Sequence, residues 1–189
     1  EKRIECELIE ERYWKREPDF LRRNPAGKVP VLEIDGKTMS ESAAICEYLE
    51  EKYSNPILLP VDIYERYEVR RLVGYFDDTF YHHITSKLVH EIFMKKRIYE
   101  DEPEKSYPDT KSVRDAYKKD KIYLDYMEFL LDQRTWLAGE TMTLADFAAA
   151  AHISVLDYAK RVDWNSEKRK ALKDWYAKIK SRPAFRSIL

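Results

Sequence analysis

The chain carries a short stretch of backbone that suits the binding of a peptide-like molecule. Pro30 interrupts an apolar run, and a proline within a strand is unusual because it removes a backbone donor and fixes φ. We expect a cis Val29–Pro30 bond that directs backbone groups toward a ligand. The extended backbone of Val29 can then pair with a peptide as an added strand would. The simpler alternative is that Pro30 only ends a strand.

Two polar residues, Glu41 and Ser42, stand where the next helix is predicted to begin. A helix N-terminus presents free N–H groups and a positive dipole end, so the Ser42 hydroxyl and backbone N–H can hold a carboxylate. Glu41 can meet an ammonium group of the same ligand. The alternative is that Ser42 only caps the helix. Taken together with Pro30, the pattern favours a ligand site.

Local turn signals define the elements that must position these residues. A short helix is predicted near residues 17–23, a turn at 24–27 leads into the apolar run, and Asp35-Gly36 is a hairpin signal between two short strands. The helix that opens at residues 41–42 ends near residue 53. Its predicted buried side consists of Ala43, Ile45, Cys46 and Leu49. Residues 54–60 contain two prolines and are predicted to be a linker.

The remainder of the chain is predicted to be helical, beginning with a long helix at about 62–96. Its apolar residues recur every four positions, at Leu72, Phe76, Phe80, Ile84, Leu88 and Ile92. Against a period of 3.6 residues this step drifts by about 40° per repeat, so the stripe should wind around the helix. Two prolines and many charges at 101–109 predict an exposed loop.

Three more helices are predicted. The first lies near residues 112–133, with the apolar residues Val113, Tyr117, Leu124, Met127 and Leu131. Thr143 and Asp146 then form a capping-box pattern, with Asp in place of Glu, before an almost entirely apolar helix. We interpret both as structural capping residues, and Asp146 as not catalytic. The last helix is predicted near 167–180.

The order of Lys-Val-Pro-Val-Leu at 28–32, a hairpin, and Glu-Ser-x-Ala-Ile at 41–45 resembles the glutathione-binding half of the glutathione transferase family. The Thr-x-x-Asp box before an apolar helix is a second resemblance, and together they cover essentially the whole chain. The resemblance implies an α/β plus all-α fold. It places a thioredoxin-like N-terminal domain at 1–53, a linker at 54–61 and an all-helical C-terminal domain at 62–189.

In the family, glutathione is the substrate whose thiolate is conjugated to a small hydrophobic electrophile, and the proteins are usually homodimers. Carried over to this sequence, the glutathione-binding residues are Lys28, Val29, Pro30, Glu41 and Ser42. The family places its electrophile pocket along the first long helix, where the candidates are Tyr75, Asp78, Tyr81 and His82. The family's sulfur-activating residue lies near the end of the first strand, and no residue of this sequence is assigned to it.

Segments 134–139, 148–159 and 173–176 look most similar to an alphaproteobacterial subgroup of the family. At least one bacterial member of that subgroup acts in cell division by binding FtsZ rather than as an enzyme. This likeness implies an alternative function, association with FtsZ filaments. Trp14, an exposed aromatic in a charged loop, would then be a protein-contact anchor. It could equally pack against its own domain or flank the glycine end of glutathione.

Composition argues against several classes of protein. With 44% hydrophobic residues, 37% charged residues and a net charge of −1, the chain is globular and lacks the basic excess of a nucleic-acid-binding protein. No apolar run has membrane-spanning length, no signal peptide is recognisable, and the two cysteines are far apart, which favours a reduced, cytoplasmic protein. We expect no metal site, because no metal-ligand spacing occurs among His82, His83, His90 and His152.

The first residues carry one more expectation. Residues 4–9 alternate like a half-buried strand, and residues 1–3 read like the end of a helix. In the family a strand and a helix come before this point, and that strand pairs between the strands predicted at 4–9 and 29–34. We therefore expect roughly 20 further residues upstream, the length of one strand and one helix.

Overall fold

The structure is a computed structural model that describes residues 1–186. The chain divides into two compact units, the first being Glu1–Ile57 and the second beginning at Leu58. Each unit is built around a different kind of element. The first contains a hairpin flanked by helices, and the second consists of helices and connecting turns.

The first unit is organised around an antiparallel hairpin of β1 (Val31–Ile34) and β2 (Lys37–Ser40). Val31 pairs with Ser40 at the open end. At the closed end Asp35 and Gly36 have φ values of 51° and 70°. Positive φ at both central residues is the requirement of the two-residue turn that Asp-Gly favours. The predicted hairpin is confirmed.

Two helices flank the hairpin, α1 (Pro18–Arg23) before it and α2 (Ser42–Lys52) after it. Ile45 of α2 is buried and Leu49 is half-buried, whereas Ala43 is exposed. The prediction that Ala43 is buried is therefore wrong. A residue two positions before Ile45 lies about 200° around an α-helix, on the other side.

Residues 1–12 contain neither the strand predicted at 4–9 nor the helix end predicted at 1–3. Leu8 and Ile9 are 91% and 74% exposed. The alternating pattern is not sufficient, because a strand is stabilised by pairing its backbone groups and this segment pairs with neither β1 nor β2. The segment is held instead by Lys2, whose Nζ lies 2.7 Å from the Glu50 carboxylate and 2.6 Å from the Tyr53 carbonyl.

The second unit begins with α3, a helix that runs over residues 63–98 while its hydrogen-bond pattern changes. The Asp62 carboxylate caps its first turn by accepting the Glu65 N–H at 3.0 Å. Two stretches are π-helical, with N–H groups bonded to carbonyls five residues earlier, as from Ser86 to Tyr81. The successive segments are Ile63–Gly74, Tyr75–Thr85, Ser86–Leu88, Val89–Met94 and Lys95–Ile98.

These wide turns keep the predicted apolar stripe on one side of α3. A turn closed by five-residue hydrogen bonds holds more than 3.6 residues, so a four-residue step drifts less than in an α-helix. The prediction that the stripe winds around the helix is therefore wrong. Ile92 is half-buried, and the other five stripe residues are fully buried in one core: Leu72, Phe76, Phe80, Ile84 and Leu88.

The helix predicted at 112–133 is two helices, α4 (Thr110–Tyr117) and α5 (Asp120–Leu131). The break is fixed by a contact from elsewhere in the unit. Arg161 donates to the buried Asp120 carboxylate at 2.9 Å, and its guanidinium lies 4.2 Å from the Tyr117 ring centre. One arginine thus bonds to both sides of the interruption, which the apolar periodicity alone does not reveal.

The unit is completed by α6 (Leu144–Tyr158), α7 (Lys170–Lys180) and α8 (Pro183–Arg186). Ala149, Ile153 and Leu156 of α6 are fully buried among the side chains of α3, α5 and α7. No helix within residues 1–186 is long and apolar enough to span a bilayer.

A polar cluster connects α3 to the turn before α6. Glu68 accepts hydrogen bonds from Arg71 at 2.7 Å and from Arg134 at 2.8 Å, and Arg134 also donates to the Leu137 carbonyl. The hydrogen bond from Arg71, aided by that from Arg134 and opposed by partial burial, lowers the pKa of Glu68. The cluster therefore favours the ionised carboxylate.

Candidate functional site

The turn before the hairpin is held by the side chain of Asn24, which is 3% exposed. Its Oδ1 accepts the Ala26 N–H at 3.1 Å and its Nδ2 donates to the Lys28 carbonyl at 2.7 Å. Both bonds fix the backbone that leads into Val29. Sequence reasoning identified a turn here without recognising Asn24 as the residue that holds it. The signal was available, because asparagine commonly bonds the backbone two residues ahead.

The backbone after this turn is accessible. The Val29–Pro30 bond is cis, the isomer that the sequence predicts. Lys28, Val29 and Pro30 are all exposed, Val29 to 48%. This surface can therefore be reached by an extended ligand.

Glu41 has φ 70° and ψ 109°, a conformation that residues other than glycine seldom adopt. Such strain costs about 1–3 kcal/mol and is concentrated at binding and active sites. Glu41 precedes the first residue of α2, Ser42, and both are exposed. Within the described chain neither side chain is hydrogen-bonded, so the interpretation of Ser42 as only a cap loses its support.

A basic side chain lies against the same turn. Gly27 has φ 64°, and a Cβ placed on it would come within 2.6 Å of Arg16 Nη1 and 3.2 Å of Leu21 Cδ2. The guanidinium of Arg16 therefore crosses over Gly27, one residue before Lys28. Sequence reasoning missed Arg16, since nothing in the local pattern links it to a glycine eleven positions later.

The four residues predicted to line an electrophile pocket do not form one cluster. His82 contacts Asp78, with Nδ1 3.2 Å from the carboxylate, and its ring lies edge-on to Tyr81 at 5.2 Å. These three side chains are exposed. Tyr75 instead packs against the rings of Tyr123 and Tyr126 of α5, and burial raises the pKa of Tyr75 to about 12.

A buried polar network lies beside this group. His152 of α6 is 8% exposed, with Nδ1 2.8 Å from the Thr85 hydroxyl and Nε2 3.2 Å from the Asp77 carboxylate. Because a carboxylate only accepts, a neutral His152 carries its proton on Nε2 and accepts from Thr85 at Nδ1. The Thr85 hydroxyl is too deeply buried to attack a substrate, so we interpret the network as a link between α3 and α6.

The start of α6 has the predicted capping box. Asp146, fully buried, accepts the Thr143 N–H at 2.8 Å, the Leu137 N–H at 3.0 Å and the Trp175 indole N–H at 2.8 Å. Burial raises the pKa of Asp146, and these hydrogen bonds oppose the shift. The carboxylate therefore joins α6, α7 and the preceding turn, and all of its contacts are structural.

Comparison with known proteins identifies the family. The glutathione S-transferase N-terminal domain matches residues 1–52, and the glutathione S-transferase C-terminal domain matches residues 81–183. FtsZ-localized protein A of Caulobacter vibrioides is 42% identical over 194 residues, covering 100% of this chain and 82% of that protein. The chain belongs to the glutathione S-transferase family.

Solved structures agree with this family assignment. A glutathione S-transferase from Rhodospirillum rubrum is 44% identical with a TM-score of 0.89, covering 100% of this chain and 82% of that one. FzlA from C. crescentus is 41% identical with a TM-score of 0.83, covering 95% and 78%. The chain has the glutathione S-transferase fold, a thioredoxin-like N-terminal domain with a small sheet followed by an all-helical C-terminal domain.

Trp14, predicted to be exposed, is half-buried within a short 3₁₀ turn, Tyr13–Lys15. Its ring lies edge-on to that of Tyr13 at 5.4 Å. That prediction is wrong, because a neighbouring ring covers part of the indole. In this glutathione S-transferase fold Trp14 packs partly against its own unit and keeps some accessible surface.

The structure contains no group of three or more His, Cys, Asp or Glu side chains suited to a metal within residues 1–186. Cys6 is exposed and Cys46 is half-buried, both as free thiols.

Proposed function

We propose that the protein binds glutathione along Lys28, Val29 and Pro30 and at the start of α2. The observation that carries the proposal is the strained backbone of Glu41 directly before an exposed helix start. In this arrangement the Val29 backbone pairs with the peptide, Ser42 and the helix N-terminus hold its γ-glutamyl carboxylate, and Glu41 pairs with its ammonium group. Glutathione is the substrate of the family to which the chain belongs.

The activity that we propose for this site is conjugation of the glutathione thiolate to a small hydrophobic electrophile. Asp78, Tyr81 and His82 support an electrophile contact on α3, because they are exposed and adjacent. Tyr75 is left out, since its ring packs against α5. We assign the sulfur-activating role to none of the described residues.

Calorimetry on two variants tests the binding proposal. Ser42→Ala and Glu41→Gln should each weaken glutathione binding by about 1–2 kcal/mol, the value of one hydrogen bond to a charged group. The matched controls are Ser54→Ala and Glu51→Gln, which change the same side chains at exposed positions outside the site. Unchanged affinity in both site variants, or equal losses in the controls, would refute the proposed site.

A second candidate function is association with FtsZ filaments. The observation that favours it is the 42% identity, over the whole chain, to a protein named for its localisation with FtsZ. In this alternative the accessible part of Trp14 contacts the filament. Trp14→Ala should then abolish co-pelleting with FtsZ polymers while Trp14→Phe retains part of it, and circular dichroism must show that both variants are folded.

Two assays on the same preparation separate these functions. Conjugation of glutathione to a chloronitrobenzene without FtsZ co-pelleting supports the enzyme. The reverse pair of results supports the division protein and overturns our first candidate.

We further propose that the protein is a homodimer, as is usual in the family. Four exposed apolar side chains near the start of α3 support this: Val61, Ile63, Tyr64 and Tyr67. Light scattering should give twice the chain mass for the native protein and a lower mass for the double variant Tyr64→Lys/Tyr67→Lys. The control Ile122→Lys changes an equally exposed residue of α5 and should leave the mass unchanged.

A further inference from the structure

The basic charges of the chain are concentrated near its C-terminal end. Residues 160–186 contain ten Lys and Arg against three Asp and Glu, whereas the whole chain has a net charge of −1. The preceding residues therefore have a net acidic charge. This asymmetry places one positive region on an otherwise negative protein.

Much of the positive charge lies on the outward face of α7. The inward face is formed by Leu172, Trp175, Tyr176 and Ile179, all buried in the helical core. Lys170, Lys173 and Lys178 are exposed, and Lys168 is exposed in the 3₁₀ turn that leads into α7. None of these four ammonium groups forms an ion pair with any residue in the described part of the chain.

The neighbouring cations differ in this respect. Lys180 pairs with Asp157 at 2.7 Å, and Arg169 pairs with Asp125. Lys178 lies 5.8 Å from the centre of the half-buried Trp136 ring, which adds an apolar surface at the edge of the patch. We define the basic face as Lys168, Lys170, Lys173 and Lys178.

We propose that this basic face binds a short acidic segment of a protein partner, independently of any glutathione site. From Lys170 to Lys178 the helix rises about 12 Å, the length of about four residues of extended chain. A few carboxylates can therefore pair with the face at once. Electrostatic complementarity of this kind increases association rate and specificity more than affinity.

The charge distribution favours such a segment over a nucleic acid or a membrane. A DNA duplex carries a charge about every 1.7 Å and extends far beyond this face, so it would meet the acidic remainder of the protein. An anionic bilayer extends in the same way. A short segment contacts the cations without that repulsion.

Fluorescence anisotropy with a labelled octapeptide of glutamate tests the proposal on the full chain in low salt. The double variant Lys170→Gln/Lys173→Gln should bind about fivefold more weakly, the combined effect of two exposed ion pairs. Lys111→Gln/Lys121→Gln is the matched control, since it removes the same charge from exposed positions on α4 and α5. Asp174→Asn should strengthen binding about twofold, because Asp174 lies four residues from both Lys170 and Lys178.

The outcomes either support or overturn the proposal. Weaker binding by the α7 variant, native binding by the control and stronger binding by Asp174→Asn support it. Absence of peptide binding at low salt, equal losses in both double variants, or tighter binding to a DNA duplex or to phosphatidylserine vesicles than to the peptide would overturn it.

Discussion

Replacing Asp146 by alanine removes the acceptor for three buried N–H donors, those of Leu137, Thr143 and the Trp175 indole. A buried donor without a partner costs about 1–3 kcal/mol. Removing the carboxylate also relieves the unfavourable burial that raises its pKa, which offsets part of this loss. We therefore expect Asp146→Ala to lower the free energy of unfolding by about 4 kcal/mol, in the lower half of the summed range.

Asp146→Asn should cost less, about 2 kcal/mol, because its amide oxygen can still accept from Leu137 and Trp175 while its NH₂ group faces the Thr143 N–H. Urea denaturation followed by far-UV circular dichroism measures both values. The control Asp174→Ala removes an exposed carboxylate of α7 and should change stability by less than about 0.5 kcal/mol. A loss below 1 kcal/mol for Asp146→Ala, or equal losses for Ala and Asn, would refute the reasoning.

Three further predictions use the same measurement. Phe80→Ala should cost about 3–5 kcal/mol, because it opens a cavity at a fully buried position of α3. Thr85→Val keeps the shape but removes the hydroxyl bonded to His152 Nδ1, and should cost about 1–3 kcal/mol. Glu68 has a lowered pKa in the folded state, so the unfolded chain binds more protons below about pH 4.5 and stability should fall with falling pH there. Glu68→Gln should make this dependence shallower.

Each of these three has a control within the chain. Tyr81→Ala removes a 41% exposed ring next to Phe80 and should cost much less than Phe80→Ala. Thr85→Ser keeps the hydroxyl and should retain most of the stability that Thr85→Val loses. Glu65→Gln changes an exposed glutamate on α3 and should leave the acid dependence unchanged. Equal effects in variant and control would contradict the corresponding argument.

The features that the sequence predicted correctly are those determined by a few adjacent residues. The hairpin depends on Asp35 and Gly36, and the start of α6 depends on Thr143 and Asp146. In each case the local chemistry allows few alternatives, because positive φ and unsatisfied N–H groups have few solutions.

The features that the sequence did not predict depend on distant partners. The break between α4 and α5 involves Arg161, and the Thr85 network involves His152, 67 residues away. Residues 4–9 have the pattern of a strand but no pairing with the hairpin. At the candidate site, Glu41 and Ser42 were located by sequence, whereas Arg16 required knowledge of which side chain crosses Gly27.

The wide turns of α3 limit how its length can change during evolution. Since its buried residues recur every four positions, deleting one residue near Phe80 would rotate everything that follows by about 100° and carry Ile84 and Leu88 out of the core. Deleting four consecutive residues would shorten the helix by about 6 Å and preserve that phase. Insertions and deletions in this helix should therefore be tolerated in steps of four, unlike the steps of seven that a coiled coil accepts.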